Sequence, residues 1–152
     1  MRHLTLMLAL IGLAALGPAA APAVPAATSC TTVRGTVSFY ATGPDSFISS
    51  LTGDLAGTSI GTHFTIVKVG DDGTLHFTVD HEFVTDRGTF FTVAEGVLSP
   101  ITPGIYRTSE RNFFLPGGTG AFAGATGNLI LQTLADLTVG EGSGRYHGRI
   151  CV

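Results

Sequence analysis

Beyond residue 30 the chain runs in short stretches where apolar and polar residues alternate, separated by glycine-rich breaks. A period of two is the signature of a β-strand with one face buried. No apolar stripe of helical period extends for the roughly ten residues a helix needs. The pattern predicts strands at Thr31–Tyr40, Leu51–Gly57, His63–Val69, Thr74–Val84, Thr89–Leu98, Ile105–Leu115, Asn128–Val139 and Arg145–Val152. Thr, Val, Ile, Phe and Tyr fill these intervals, the residue types that pack well on a pleated surface.

The breaks have turn chemistry. Asp71-Asp72-Gly73 and Asp86-Arg87-Gly88 supply the left-handed conformations of tight hairpins, and Gly140 to Gly144 makes another turn. Pro100 and Pro103-Gly104 mark a longer connection, because proline cannot donate to a sheet ladder. Within the first strand Val33, Val37 and Phe39 alternate with Thr32, Arg34, Thr36 and Ser38, so Cys30 falls on the polar face. In the last strand Tyr146 and Ile150 alternate with Arg145, His147 and Arg149, and Cys151 is also on the polar side. A Cys30–Cys151 disulfide at these places joins the start of the first strand to the end of the last. Those ends meet when an even-numbered up-and-down sheet closes on itself. The expected fold is therefore all-β, a closed eight-stranded antiparallel barrel stapled across its seam, although a β-sandwich also brings its termini together. In the chain-entropy model, closing a loop of about 120 residues stabilises the fold by roughly 4–5 kcal/mol.

Ahead of the strands the pattern changes. Met1-Arg2-His3, the apolar run Leu4 to Leu16 and the small residues Ala19 to Ala27 read as a secretory signal peptide cleaved near Ala26. This gives a signal over residues 1–26, one β-barrel domain over 27–152, and an extracellular location in which a disulfide persists. The run is too short to span a bilayer, and no later stretch is apolar for the roughly 20 residues a membrane helix needs. Removing Arg2 leaves seven Lys and Arg against eleven Asp and Glu with no run of like charge, which disfavours nucleic acid as a partner.

The stretch Gly117-Gly118-Thr119-Gly120-Ala121-Phe122-Ala123-Gly124-Ala125-Thr126-Gly127 resembles the GGTG-x-F-x-x-A-x-G turn shared by dirigent proteins and the allene oxide cyclase barrel family. The elements around it keep the same order: Asp86-x-Gly88, a strand ending Glu95-Gly96, then Ser109-Glu110-Arg111. The chain looks closest to secreted bacterial allene-oxide-cyclase-like proteins, and Thr74 to Val152 carries the similarity. The resemblance implies an eight-stranded barrel whose interior receives a lipophilic small molecule, and it makes a homo-oligomer possible. Read from the residues alone, Gly118, Gly120, Gly124 and Gly127 permit positive φ and close packing while Phe122 plugs a barrel end. No Walker or dinucleotide context surrounds them. Allene oxide cyclases carry an acidic residue in the first barrel strand; Gly35 to Ala41 holds none, so no catalytic residue is carried across.

Two polar residues interrupt apolar faces. His81 breaks the Leu75, Phe77, Val79, Phe83 series, and Glu95 breaks the Phe91, Val93, Val97 series on the following strand. If both faces turn inward, an imidazole lies beside a carboxylate and the two form a candidate acid–base couple, with Phe77, Phe91 and Tyr106 as candidate ligand contacts. The bland alternative is a rim position or a satisfied pair with no substrate. On the sixth strand Tyr106 and Glu110 share one face and Arg107 and Arg111 the other, the arginines reading as solvated surface. His76, Asp80 and Glu82 are spaced two apart without a second cluster, so no metal site is expected. No nucleophile elbow and no cofactor fingerprint occurs. The expectation is a secreted barrel that binds a lipophilic small molecule and guides its cyclisation or coupling. The alternative is a non-catalytic secreted or cell-surface module with a filled core. Interior volume separates the two.

Overall fold

The computed structural model describes residues 29–152; the signal-peptide reading lies outside the described residues. Eight strands form one closed antiparallel barrel in simple sequence order: β1 Cys30–Gly43, β2 Ser46–Leu51, β3 Gly57–Val69, β4 Leu75–Thr85, β5 Gly88–Thr102, β6 Ile105–Leu115, β7 Thr126–Asp136 and β8 Glu141–Cys151. β8 returns to pair with β1 over eleven residue pairs, from Cys30 opposite Cys151 to Tyr40 opposite Glu141. The Cys30–Cys151 disulfide closes that seam from outside, with a Cα–Cα separation of 4.0 Å and a sequence separation of 121.

One expected strand is corrected. Leu51–Gly57 is no strand but the end of β2 followed by a 3-10 turn at Gly53–Leu55, while the segment before it forms the β1–β2 hairpin around Pro44-Asp45. The two leucines are both buried, which imitates strand periodicity; Gly53, at φ 80°, breaks the chain between them.

Inward positions pair large rings with glycines. Phe39 lies opposite Gly142, Phe47 opposite Gly61, Phe77 opposite Gly96 and Tyr146 opposite Gly35. A Cβ on any of these glycines would strike the ring it faces. An eight-stranded barrel is narrow, and alternating large with absent side chains lets the rings lie across its wall.

The interior has two halves. Towards the chain ends, Phe83, Phe90, Phe122, Leu129, Leu55 and Tyr146 pack a plug, with Phe83 and Phe90 stacked at 4.5 Å between centroids. Two short loops cap it. The glycine motif folds as a 3-10 turn at Gly120–Phe122 that drops Phe122 against Phe90. The Gly53–Leu55 turn is pinned by Tyr146, whose hydroxyl accepts from Leu55 N at 2.8 Å and donates to Thr52 O at 2.6 Å. Burial pushes the Tyr146 hydroxyl above its usual pKa, against the Leu55 bond and with a further push from Asp54. The opposite half, under the β1–β2, β3–β4, β5–β6 and β7–β8 turns, is not filled.

Candidate functional site

The unfilled half holds a cavity of about 220 Å³, walled by Phe39, Phe47, Phe64, Phe77, Leu98 and Leu131, among others. Phe64 reaches it because of a bulge in β3. The pairing with β4 shifts between Thr62 and Thr65 around His63, whose φ is 56°. Ser59 and Gly61 face inward ahead of the bulge and Phe64 faces inward after it, the re-aiming such an extra residue produces. His63 then turns outward and meets Asp80 at 2.9 Å.

Beneath the apolar wall runs a chain of buried polar side chains. Ser59 on β3 meets His81 Nδ1 at 2.9 Å; His81 Nε2 lies 2.9 Å from Glu110 Oε1 on β6. Asn112 Nδ2 donates to the same Oε1 at 2.7 Å, and Thr92 on β5 donates to Asn112 Oδ1 at 2.7 Å. All five residues are buried, His81 at 3% and Glu110 at 7% exposure. Between His81 and Glu110, β5 turns only Thr92, Ala94 and Gly96 inward, so the two groups meet across a strand with little side chain in the way. His81 also stacks on Phe83 and presents its edge to Phe47, which fixes the ring plane.

Burial alone would push the Glu110 carboxyl up. Attraction to His81 and the bonds from His81 and Asn112 outweigh it, and the group sits below its ordinary value of 4.5. It is therefore a carboxylate at neutral pH. The contacts named converge on Oε1, and Glu110 is among the residues lining the cavity. Two atoms nearby are unspent. Thr108 Oγ1, two residues along the same face and also lining the cavity, is buried without a partner. The His81 Nε2 approach to Glu110 is close but too poorly aligned to count as a straight hydrogen bond.

His81 faces inward, but Glu95 does not stand beside it. Glu95 is exposed on the outer wall, opposite Thr78 and Arg111, and Phe91 faces outward with it. The cause is the turn: Asp86-Arg87 forms a two-residue loop, Thr85 pairs with Gly88, and each odd-numbered residue of β4 therefore faces an even-numbered one of β5. Phe77 lines the cavity. Tyr106 faces inward and packs with Phe77, Leu98 and Ala135 at the open end. Glu110 takes the place expected of Glu95. Its face was ambiguous in sequence, but carrying the parity of the hairpin through β5 to β6 turns Glu110 to the side of His81. Thr92, Thr108 and Asn112 carried no sequence signal, being ordinary polar residues until the register makes them inward.

Among the described residues no group of three or more His, Cys, Asp or Glu side chains is placed to hold a metal ion, and no helix is long and apolar enough to cross a membrane. Compared with known proteins, the chain matches no family model, no curated sequence and no solved structure.

Proposed function

We propose that this is a secreted barrel, similar to allene oxide cyclases and dirigent proteins, that binds a lipophilic small molecule at its open end and guides its cyclisation or coupling. One observation carries the reading: an apolar cavity whose floor offers a carboxylate oxygen and an unpartnered hydroxyl, Glu110 and Thr108. A pocket that is largely apolar with a few convergent polar groups is the usual form of a small-molecule site.

The dimensions narrow the ligand. Apolar cavities of about 150 Å³ take up benzene, so about 220 Å³ suits a single substituted ring, and a longer molecule would protrude through the rim. The ionised Glu110 disfavours a ligand carboxylate and favours a donor, a hydroxyl or a protonated amine. In the complex Glu110 would accept a hydrogen bond from that donor and orient it, while His81 holds the carboxylate in place.

The test is native mass spectrometry of the protein from its own host, followed by titration with a substituted phenol and with the benzoic acid of the same size. Binding of the phenol and rejection of the acid supports the proposal. No co-purified molecule and no binding of either at millimolar concentration rejects it. That result would favour the second reading, a non-catalytic module, for which the packed plug half of the interior speaks.

A further inference from the structure

The outer wall of β6, β7, β8 and β1 carries a concentration of positive charge that the sequence does not display as a run. Following the registers across these four strands, Arg34 lies beside His147, Arg145 beside Gln132, and Arg111 and Arg107 sit on the far strand in neighbouring rows. Arg149 continues the β8 series, so Arg145, His147 and Arg149 stand on one face about 7 Å apart in sequence along the strand. Five of the seven basic residues of the barrel thus share one wall of about 15 by 20 Å. The four rows hold no carboxylate; the nearest ones, Asp54, Glu95, Asp136 and Glu141, lie along the borders. Among the described residues, none of these arginines has a carboxylate within ion-pair distance.

Such an arrangement costs stability, because Arg34 repels Arg145 and Arg149 on the neighbouring strand, and only at the border does a carboxylate, Glu95 opposite Arg111, offset part of the charge. Arg34 stands diagonally beside Arg145 and Arg149 at about 8 Å, one physiological Debye length, so these fields add even though the whole chain carries a formal charge of -3. Two shallow depressions cross the wall and share Gln132 and Arg145; one reaches Arg34 and His147, the other Arg107 and Ser143. Between the arginines the lining mixes amide and hydroxyl groups, Gln132, Thr36, Ser109 and Ser143, with the exposed side chain of Leu134.

We infer that this wall binds a linear anionic polysaccharide, its sulfates or carboxylates held by the arginine forks and its hydroxyls by the interleaved amide and hydroxyl groups. The depressions contain no exposed aromatic ring on which a base could stack, which disfavours single-stranded nucleic acid. The wall is convex, so a flat bilayer would touch only a narrow strip of it. A flexible polymer follows the curve. The site is separate from the interior cavity and does not depend on it.

The experiment uses the disulfide-bonded protein with heparin and with polygalacturonate as probes, titrated at low and at physiological ionic strength. At least one polysaccharide is expected to bind, with affinity falling as salt rises. Arg107→Gln/Arg145→Gln should weaken it about tenfold and flatten the salt dependence, whereas Arg107→Lys/Arg145→Lys, which keeps the charge and loses the fork, should keep the salt dependence and fall between wild type and the glutamine variant. Lys68→Gln, on the exposed end of β3, should change nothing. Equal thermal midpoints would establish that the variants are folded. The inference is overturned if neither polysaccharide binds at low salt, if Lys68→Gln weakens binding as much as the double variant, or if single-stranded DNA or anionic phosphatidylglycerol vesicles bind as tightly as the polysaccharides.

Discussion

Replacing Glu110 by glutamine keeps the shape of the side chain and removes one charge from the buried polar chain. Two donors, His81 Nε2 and Asn112 Nδ2, approach Oε1 at 2.9 and 2.7 Å, so the amide must turn its oxygen to them and its nitrogen away. The Asn112 bond falls from charge-assisted to neutral and the attraction between His81 and the carboxylate is lost, about 1 kcal/mol each, partly offset because an amide is cheaper to bury than a carboxylate. The expected destabilisation at neutral pH is about 1–2 kcal/mol, or roughly 0.5–1 M in the urea midpoint. Its sign follows from the lowered pKa: the folded protein prefers the carboxylate to the acid, so the contribution is complete above the ordinary value of 4.5 and is lost as pH falls through the folded value. Asp72 and Asp136, held low by bonds from Thr74 and Thr138, add acid sensitivity to both proteins alike. The quantity to follow is therefore the difference between wild type and Glu110→Gln in urea unfolding, measured from pH 7 to pH 3. That difference should shrink with acid. A difference that stays constant, or a variant more stable than wild type at pH 7, would refute the account of the buried pair.

Three further substitutions separate the plug from the cavity. Thr108→Val replaces a buried hydroxyl that has no partner with a methyl, so urea unfolding should show unchanged or slightly raised stability, by up to about 1 kcal/mol, while affinity for a donor ligand falls. Tyr146→Phe leaves Leu55 N without its acceptor and should cost about 1–3 kcal/mol in the same assay, with ligand affinity untouched because the ring sits in the other half. Cys30→Ser/Cys151→Ser removes a cross-link spanning 121 residues and should lower stability by about 5 kcal/mol in the chain-entropy model, which calorimetry checks. Hydrogen exchange should then quicken first at the β1–β8 seam near the chain ends, and the open-end cavity should still bind.

The barrel was legible because period-two alternation names a face for each residue and two cysteines on polar faces at opposite ends name a seam. Those signals are local, or depend on one pairing, and they survived intact. The β1–β2 hairpin was not legible, since Leu51 and Leu55 both plug the barrel and the intervening turn looks like a continuing strand. The site failed in a different way. His81 and Glu95 both interrupt apolar faces, and each interruption is real, but which side of the wall a face occupies is set by the turn joining the strands. The apolar face of Phe91, Val93 and Val97 is the outer one, half-buried beneath neighbouring side chains, so hydrophobicity alone points the wrong way. The basic wall escaped notice because its arginines come from β1, β6 and β8, more than a hundred residues apart at the extremes, and only the closed register brings them together.

The polar chain sits at the boundary between the two halves, and that position says what it does for each. Below it, Phe83, Phe90 and Phe122 already exclude water and fix the packing, and replacing the chain by apolar side chains of equal volume would serve stability as well or better. Above it, the apolar walls give a ligand nothing by which to choose an orientation. A carboxylate held by His81 and Asn112 keeps its charge despite burial and gives the cavity lining a fixed acceptor. Ser59 and Thr92, at the two ends of the chain, have no view of the cavity, but they fix the imidazole and the amide that fix Glu110. The cost of burying five polar groups is thus tied to orienting one oxygen. If so, His81→Phe/Glu110→Leu should still fold, less stable by about 1–3 kcal/mol for each partner it orphans, the Asn112 amide and the Ser59 hydroxyl, and bind apolar rings of the right size without preferring those that carry a hydroxyl. A double variant that keeps the hydroxyl preference would place ligand orientation elsewhere in the cavity, with Thr108 the remaining unpartnered group.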